Sequence, residues 1–342
     1  MSFFRKLQGC LTGLINFIRR NSGILIGLFC MIVFLILTQP AFLKVSNLTN
    51  VIRQISVNIL LACAMTLVII IGGIDLSVGS IIAISGCLSA GFITFNNMNS
   101  VAAILLAILI GTAVGGLNGI MISRTKIPPF IVTLATMNIG RGAIRVYTHS
   151  KTILVDDALY SFLGEGRLFG ELPIQFVFIV FAVVFCGLIL NRTKFGRNIY
   201  AVGDNRQAAE YTGINVRRVI FFVFVISGFM AALAGILTCT RTYSGQPNVG
   251  TGAEMDAISA VVLGGTSMTG GVGTVGGTVI GCLVIGIMNN GMNLMGIDSS
   301  WQYVVKGVVV LLAVFIDYVK KENKVSGLRI RALRISERKG GE

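Results

Sequence analysis

Residues 68–86 read VIIIGGIDLSVGSIIAISG. Apolar runs flank the string GGIDLSVGS on both sides, so two glycines and an aspartate at its centre need a physical reason. In lipid, a carboxylate is costly unless it is paired, hydrogen-bonded or wetted. Non-helical backbone at that depth is tolerated only where protein buries it or it lines water. The string therefore reads as a helix break. Gly72 and Gly73 end one helix, and Asp75 or Ser77 caps the next, favoured by its positive end. Asp75 can also face a passage, and the two roles are compatible.

Composition supports lipid as the solvent. The chain has 342 residues, 54% hydrophobic and only 12% charged, against about a quarter charged in soluble domains. Several runs reach the roughly 20 apolar residues a spanning helix needs. They do not alternate, which excludes an outer-membrane barrel. The fold expected is all-α, a polytopic membrane protein with about ten transmembrane helices and glycine-broken segments. The seven cysteines are scattered, mostly in apolar runs, with neither metal-ligand spacing nor a disulfide framework. No metal and no cofactor are expected.

The net charge of +14 is not spread like a nucleic-acid surface. Most basic residues fall in four blocks: the N-terminal tail, Arg124 with Lys126, the loop 191–218, and the tail from Lys320. Blocks between apolar runs are the positive-inside signal, so nucleic acid is not an expected partner. Expected spans are 23–38, 51–71, 77–95, 101–122, 129–148, 174–190, 219–239, 253–269, 272–295 and 302–318. Ten crossings put all four blocks on one side, with both termini cytoplasmic. The domains expected are an interfacial helix over 1–22, a membrane domain over 23–319, and a basic tail over 320–342. In 1–22, Phe3, Leu7, Leu11, Leu14, Ile15 and Ile18 fall at helical spacing among basic residues. That pattern suits a helix lying on the membrane rather than a cleaved signal peptide.

A weak internal repeat appears. Gly72-Gly73 interrupts the second and third spans, and a glycine-rich run from Gly264 to Gly277 interrupts the eighth and ninth. Paired interruptions point to a transport path, although glycines also let helices pack closely. Thr251 and Glu254 fit a capping box, and Glu254 and Asp256 can also rim an entrance. Arg141, Arg145 and Lys306 are expected to snorkel. Asn58, Asn118, Asn138, Asn289, Asn290 and Asn293 carry amides that serve as interhelical glue or meet a polar solute's hydroxyls. The candidate path comprises Gly72, Gly73, Asp75, Ser77, Asn58, Glu254, Asp256, Asn289, Asn290 and Asn293. His149, the single histidine, ends the fifth span and suggests no relay. No catalytic cluster and no P-loop are present.

The loop 191–218, NRTKFGRNIYAVGDNRQAAEYTGINVRR, reads as ordered. Asp204 or Asn205 can cap a short helix from Arg206 to Tyr211, and Gly213 can end it. Such a rigid knob between two spans suits docking.

Four stretches carry a family resemblance: GGIDLSVGS (72–80), FGRNIYAVGDNRQAAEYTGINV (195–216), EMDAISAVVLGGTSMTGGVGTVGGTVIG (254–281) and NNGMNLMGIDSSWQYVVKGVVVLLAVFID (289–317). The chain resembles the permease subunits of ribose-type ABC sugar importers over roughly residues 20–320. Residues 145–175 carry no sugar-specific signature. The resemblance implies a non-enzymatic transport subunit in the cytoplasmic (inner) membrane. It implies as partners a second permease copy, a cytoplasmic ABC ATPase, a periplasmic or extracellular sugar-binding protein and the lipid bilayer. Ribose is the first choice, with other pentoses and hexoses as rivals. The short helix would dock in the ATPase through Asp204, Asn205, Ala208, Ala209, Glu210 and Gly213, with Ala208 and Ala209 giving a small face. An ion-coupled secondary sugar transporter is the alternative, with Asp75 as its only seat for a relay. An integral membrane enzyme is a further one.

Overall fold

The computed structural model describes residues 22–170, 172–298, 300–309, 311–312 and 315. The interfacial helix expected over 1–22, apart from Ser22, and the tail over 320–342 lie outside them. Among the described residues, the first helices are α1 (Ser22–Thr38), α2 (Val45–Ile70), α3 (Val78–Thr94), α4 (Ser100–Arg124) and α5 (Pro129–Tyr147). A compact excursion follows, with β1 (Ile153–Leu154), α6 (Ala158–Glu165), β2 (Arg167–Leu168) and β3 (Leu172–Pro173). Next come α7 (Gln175–Arg192), α8 (Lys194–Asp204), α9 (Arg206–Tyr211) and α10 (Val216–Thr242). β4 (Ser244–Gly245), α11 (Ala253–Leu263) and α12 (Val275–Leu294) complete the core, and residues 300–309 are helical.

Local chemistry sets many boundaries. Asn99 caps α4 by accepting from the N–H groups of Val101 and Ala102, and Asp157 caps α6 through Leu159 and Tyr160. Pro129 opens α5, where a missing N–H costs nothing. Ahead of the last helix, the Ser300 hydroxyl and N–H hold the Asp298 carboxyl below its usual range.

Among the described residues, five helices are long and apolar enough to cross a membrane: α2, α4, α7, α10 and α12. The other five expected spans coincide with α1, α3, α5, α11 and the helix at 300–309, which are shorter or more polar as described. In α5, the residues Thr133, Thr136, Asn138, Arg141 and Arg145 dilute the apolar run.

Helices α2, α10 and α12 bury most of their spanning stretch, whereas α4 and α7 bury only a minor share of theirs. α10 is the hub, packed against α2, α3 and α4. The α4–α10 crossing brings backbone onto backbone. A Cβ on Gly228 would lie 2.7 Å from the Gly111 carbonyl oxygen and 2.9 Å from Gly115 Cα. Such close approach is how small residues join helices where lipid supplies no hydrophobic drive.

The basic loops lie at one end of the bundle, here the basic end. At the far end, the all-α expectation is amended by two ladders of two-residue strands. β1 pairs antiparallel with β4, placing Ile153 opposite Gly245, and β2 pairs with β3. The first ladder ties the α5–α6 excursion to the α10–α11 connection. Buried Tyr160 of α6 locks it further by donating to Ser89 Oγ of α3 at 2.6 Å.

Candidate functional site

The break after α2 is a folded-back strut. Gly72 takes φ +77°, a conformation that side chains resist, and the chain returns into the bundle before α3 begins. Asp75 is fully buried. Its Oδ1 accepts from the Ser77 N–H at 3.0 Å and the Ser77 hydroxyl at 2.5 Å. Its Oδ2 accepts from the Ser227 hydroxyl of α10 at 2.7 Å. Ser77 Oγ in turn accepts from Asn118 Nδ2 of α4 at 2.9 Å, and Asn118 Oδ1 accepts from Thr136 of α5 at 2.6 Å. Thr133 donates to the Ile74 carbonyl at 3.1 Å.

The capping expectation is corrected in detail. α3 has no side-chain cap. The Asp75 carboxylate closes a turn onto Ser77, one residue ahead of the helix, and spends its other oxygen on a different helix. At about 1.5 Å per residue, Asn118 lies about 9 Å inside the Arg124 end of α4 and Ser227 about 16 Å inside the Val216 end of α10. The strut therefore sits well inside the bundle. With Asp75 and Ser77 both sealed from solvent, these residues brace the break and line no open passage in this conformation.

The second break lies between α11 and α12. Thr266 and Ser267 are buried there. α2 is stapled to α12 by a 2.6 Å hydrogen bond between the Thr66 and Thr278 hydroxyls. The expected capping box is also corrected. Gly252, not Thr251, stands at the N-cap of α11, and no side chain caps the helix. Glu254 supplies half the motif, its Oε1 accepting from the Gly252 N–H at 3.2 Å. The Thr251 hydroxyl turns back to the Asn248 carbonyl.

The first turns of α3 and α11 meet. A Cβ on Gly79 would collide with Glu254 Oε2. Arg141 binds them together: Nη2 donates to the Gly79 carbonyl at 3.0 Å, and Nη1 to the carbonyls of Val249 at 2.6 Å and Pro247 at 3.2 Å. Arg141 thus reaches inward, contrary to the snorkelling expectation, while Arg145 bonds to Asn248 Oδ1. Lys306 does not snorkel either. Its Nζ forms an ion pair with Asp256 Oδ2 at 2.9 Å.

The two breaks join at the basic end. Gly271 donates its N–H to the Ile70 carbonyl at 2.9 Å. α8 presses on this junction: a Cβ on Gly203 would collide with the Ile70 oxygen and lie 2.7 Å from Gly271 N. Tyr200 of α8 donates to the Gly273 carbonyl at 2.8 Å. α9 follows directly, and Asn205 caps it by accepting from the Ala208 N–H at 3.0 Å. Gly213, at φ +83°, ends that turn of chain as expected. Asp204, Asn205, Ala208 and Glu210 are exposed. Ala209 is buried in the core cluster, so the small face expected of the two alanines is corrected to Ala208 alone. Tyr211, 91% exposed, stands beside it.

The amides separate. Asn290 exchanges hydrogen bonds with Asn47 of α2 at 2.8 and 3.1 Å. Asn293 accepts from Gln302, and Asn138 donates to its own helix at Leu134. Asn58 and Asn289 are buried on α2 and α12, and Asn289 Oδ1 has no hydrogen-bond partner among the described residues. The candidate path residues therefore form a strut around Asp75, a far-end cluster around Glu254 and Asp256, and scattered amides. Sequence reading missed Arg141 as a clamp, Ser227 and Thr136 as partners, and Tyr200 and Gly203 as the contact between loop and breaks. The signal for Gly203 was a small residue on an amphipathic run ending at Asp204.

A bundle of long apolar helices with two internal breaks, both braced against a loop helix, has the build of a multi-pass membrane protein. Residues 47–314 match the family model described as a branched-chain amino acid transport system / permease component. The ribose import permease protein of Bacillus subtilis (strain 168) is 44% identical over 305 residues, covering 89% of this chain and 94% of that protein. The ribose import permease protein of Haemophilus influenzae is 43% identical, covering 85% and 91%. The galactose/methyl galactoside import permease protein of Escherichia coli (strain K12) is 33% identical, covering 89% and 96%. No solved structure matches the chain. The chain belongs to the permease family of ribose-type ABC sugar importers.

Proposed function

We propose that the chain is the membrane subunit of an ATP-driven ribose importer. Two copies form the pathway, each crossing the membrane about ten times, with the basic end and both termini in the cytoplasm. A separate ABC ATPase docks on α8 and α9, and an extracytoplasmic binding protein delivers the sugar. The observation that carries this reading is the junction of Gly203, Ile70 and Gly271. One exposed, capped loop helix continues into α8, and α8 touches both broken segments at once. A push on α9 thereby reaches both interruptions without a flexible intermediary. The higher identity to ribose permeases than to the galactose permease supports ribose.

The chain's own residues have limited parts in this scheme. Asp75, Ser77, Ser227 and Asn118 hold the first break rigid. Arg141, Glu254 and the Asp256–Lys306 pair hold the far-end starts of α3 and α11. Alternating these contacts opens one end or the other. The test is uptake of labelled ribose by vesicles holding this chain, its ATPase and its binding protein, with galactose and xylose as competitors. Uptake that needs ATP and yields only to excess ribose is expected. Uptake by the chain alone, driven by a proton or sodium gradient, overturns the reading in favour of a secondary transporter.

A further inference from the structure

At the basic end, where α4 stops and α10 starts, lies a cavity of about 380 Å³. Arg124, Arg217 and Arg218 line it, with Ser123, Asn215 and Phe221. Among the described residues, none of the three arginines joins an ion pair. Three guanidiniums around one hollow repel one another unless an anion occupies it, and their forked N–H groups suit phosphate oxygens. Asn215 caps α10 by accepting from the Arg218 N–H at 3.0 Å, so the positive end of a 27-residue helix faces the same place.

The surroundings decide which anion. Two apolar side chains, Ile120 of α4 and Phe221 of α10, complete the lining of the cavity. Both helices are long and apolar enough to span a membrane, so this apolar surface lies where acyl chains lie. The hollow thus stands at the seam between charged surface and apolar belt. A soluble anion or an acidic protein leaves the apolar part unused, whereas an amphiphile with an anionic head fits both.

We propose that this cavity binds the phosphate of an anionic phospholipid, with Arg124, Arg217 and Arg218 around the headgroup and the acyl chains against Ile120 and Phe221. Basic hollows between spanning helices on the positive side are suited to such headgroups.

The experiment reconstitutes the full chain in nanodiscs of phosphatidylcholine, with or without phosphatidylglycerol, and reads the melting midpoint. Phosphatidylglycerol is expected to raise the wild-type midpoint by several degrees. The triple variant R124Q/R217Q/R218Q is expected to lose that rise while melting like wild type in pure phosphatidylcholine. The control K194Q/R197Q, which removes charge outside the cavity, is expected to keep it. The single variants R217Q and R218Q each reduce the rise, which preserves the test if the triple variant does not fold. An undiminished rise in these variants overturns the proposal, as does no rise in wild type. Inorganic phosphate or glycerol phosphate reproducing the rise in pure phosphatidylcholine also overturns it, in favour of a soluble anion. If the variants lose only co-purification with the ATPase and keep the lipid-dependent rise, the arginines serve an acidic protein surface and the lipid reading falls.

Discussion

Gly271 and Ile70, separated by most of the chain, share one backbone hydrogen bond of 2.9 Å at the point where the two helix breaks meet. The bond uses the Ile70 carbonyl, freed at the end of α2, and the N–H of Gly271 in the linker between α11 and α12. Unsatisfied backbone is expensive in a membrane bundle, so each break supplies a partner for the other. Moving one then disturbs the second.

Gly203 of α8 is the contact point on that junction, and adding a methyl group there tests it. Gly203→Ala forces α8 away from the Ile70 oxygen, an overpacking cost of about 1–3 kcal/mol. ATP-dependent uptake is expected to fall more than ATP hydrolysis, because the ATPase still cycles while its push is misdirected. The ratio of sugar transported to ATP hydrolysed checks this, and an unchanged ratio shows that the contact transmits nothing.

Asp75 distinguishes a brace from an ion relay. Asp75→Asn keeps an oxygen for Ser77, and the Ser227 hydroxyl can rotate to accept from the new amide. Its stability and uptake are expected to remain near wild type. Asp75→Ala strands the donors at Ser77 and Ser227, at about 1–3 kcal/mol for each left unsatisfied. Its melting midpoint is expected to drop sharply. Abolished uptake in Asp75→Asn with normal melting would instead indicate that the carboxylate titrates during transport.

Arg141 holds three carbonyls from two segments, a geometry that a lysine's single nitrogen does not reproduce. Arg141→Lys is expected to lose about 1–3 kcal/mol of stability, judged by the groups left without partners. Its far end is expected to open more often. Cysteine-labelling rates at Gln246→Cys, measured with and without Arg141→Lys, report that opening. Equal rates remove the clamp from the mechanism.

Asp256 and Lys306 are more than half buried and paired, so removing one charge leaves the other stranded. Breaking such a pair costs about 3–5 kcal/mol when buried, whereas replacing both members with apolar groups is often neutral. Asp256→Leu and Lys306→Met are each expected to melt well below the double variant. Additive losses, compared by a thermal double-mutant cycle, show that the contact contributes no coupling.

Sequence exposed what depends on local punctuation. Asn205 and Gly213 bracket α9 because cap and left-handed turn are decided within a few residues, and Gly72-Gly73 marks its break for the same reason. Partners remote in sequence were not legible. Nothing near GGIDLSVGS announces Ser227 of α10 or Thr136 of α5, since small hydroxyl residues are common in spanning helices. Arg141 defeats sequence reading because a long basic side chain near a helix end can extend either way, and its carbonyl partners, at Gly79 and at residues 247–249, come together only in the folded bundle. α8 was hidden because its charges made residues 194–204 resemble ordinary loop.

Ala208 and Ala209 look equivalent in sequence, and the structure separates them. Ala208 is exposed on α9, whereas Ala209 is buried at 3% exposure in the core cluster. An arginine at 208 projects from the surface, so Ala208→Arg is expected to melt within about 0.5 kcal/mol of wild type while losing the ATPase in co-purification. An arginine at 209 must either bury an unpaired charge or unseat α9 from Ile214, so Ala209→Arg is expected to lose stability by several kcal/mol. Its transport defect then follows from misfolding of the knob. Measuring melting and partner retention on both variants separates surface from scaffold. If Ala208→Arg retains the ATPase at wild-type levels, the docking face lies elsewhere than α9, and the route by which ATP closure reaches Gly203 must be redrawn.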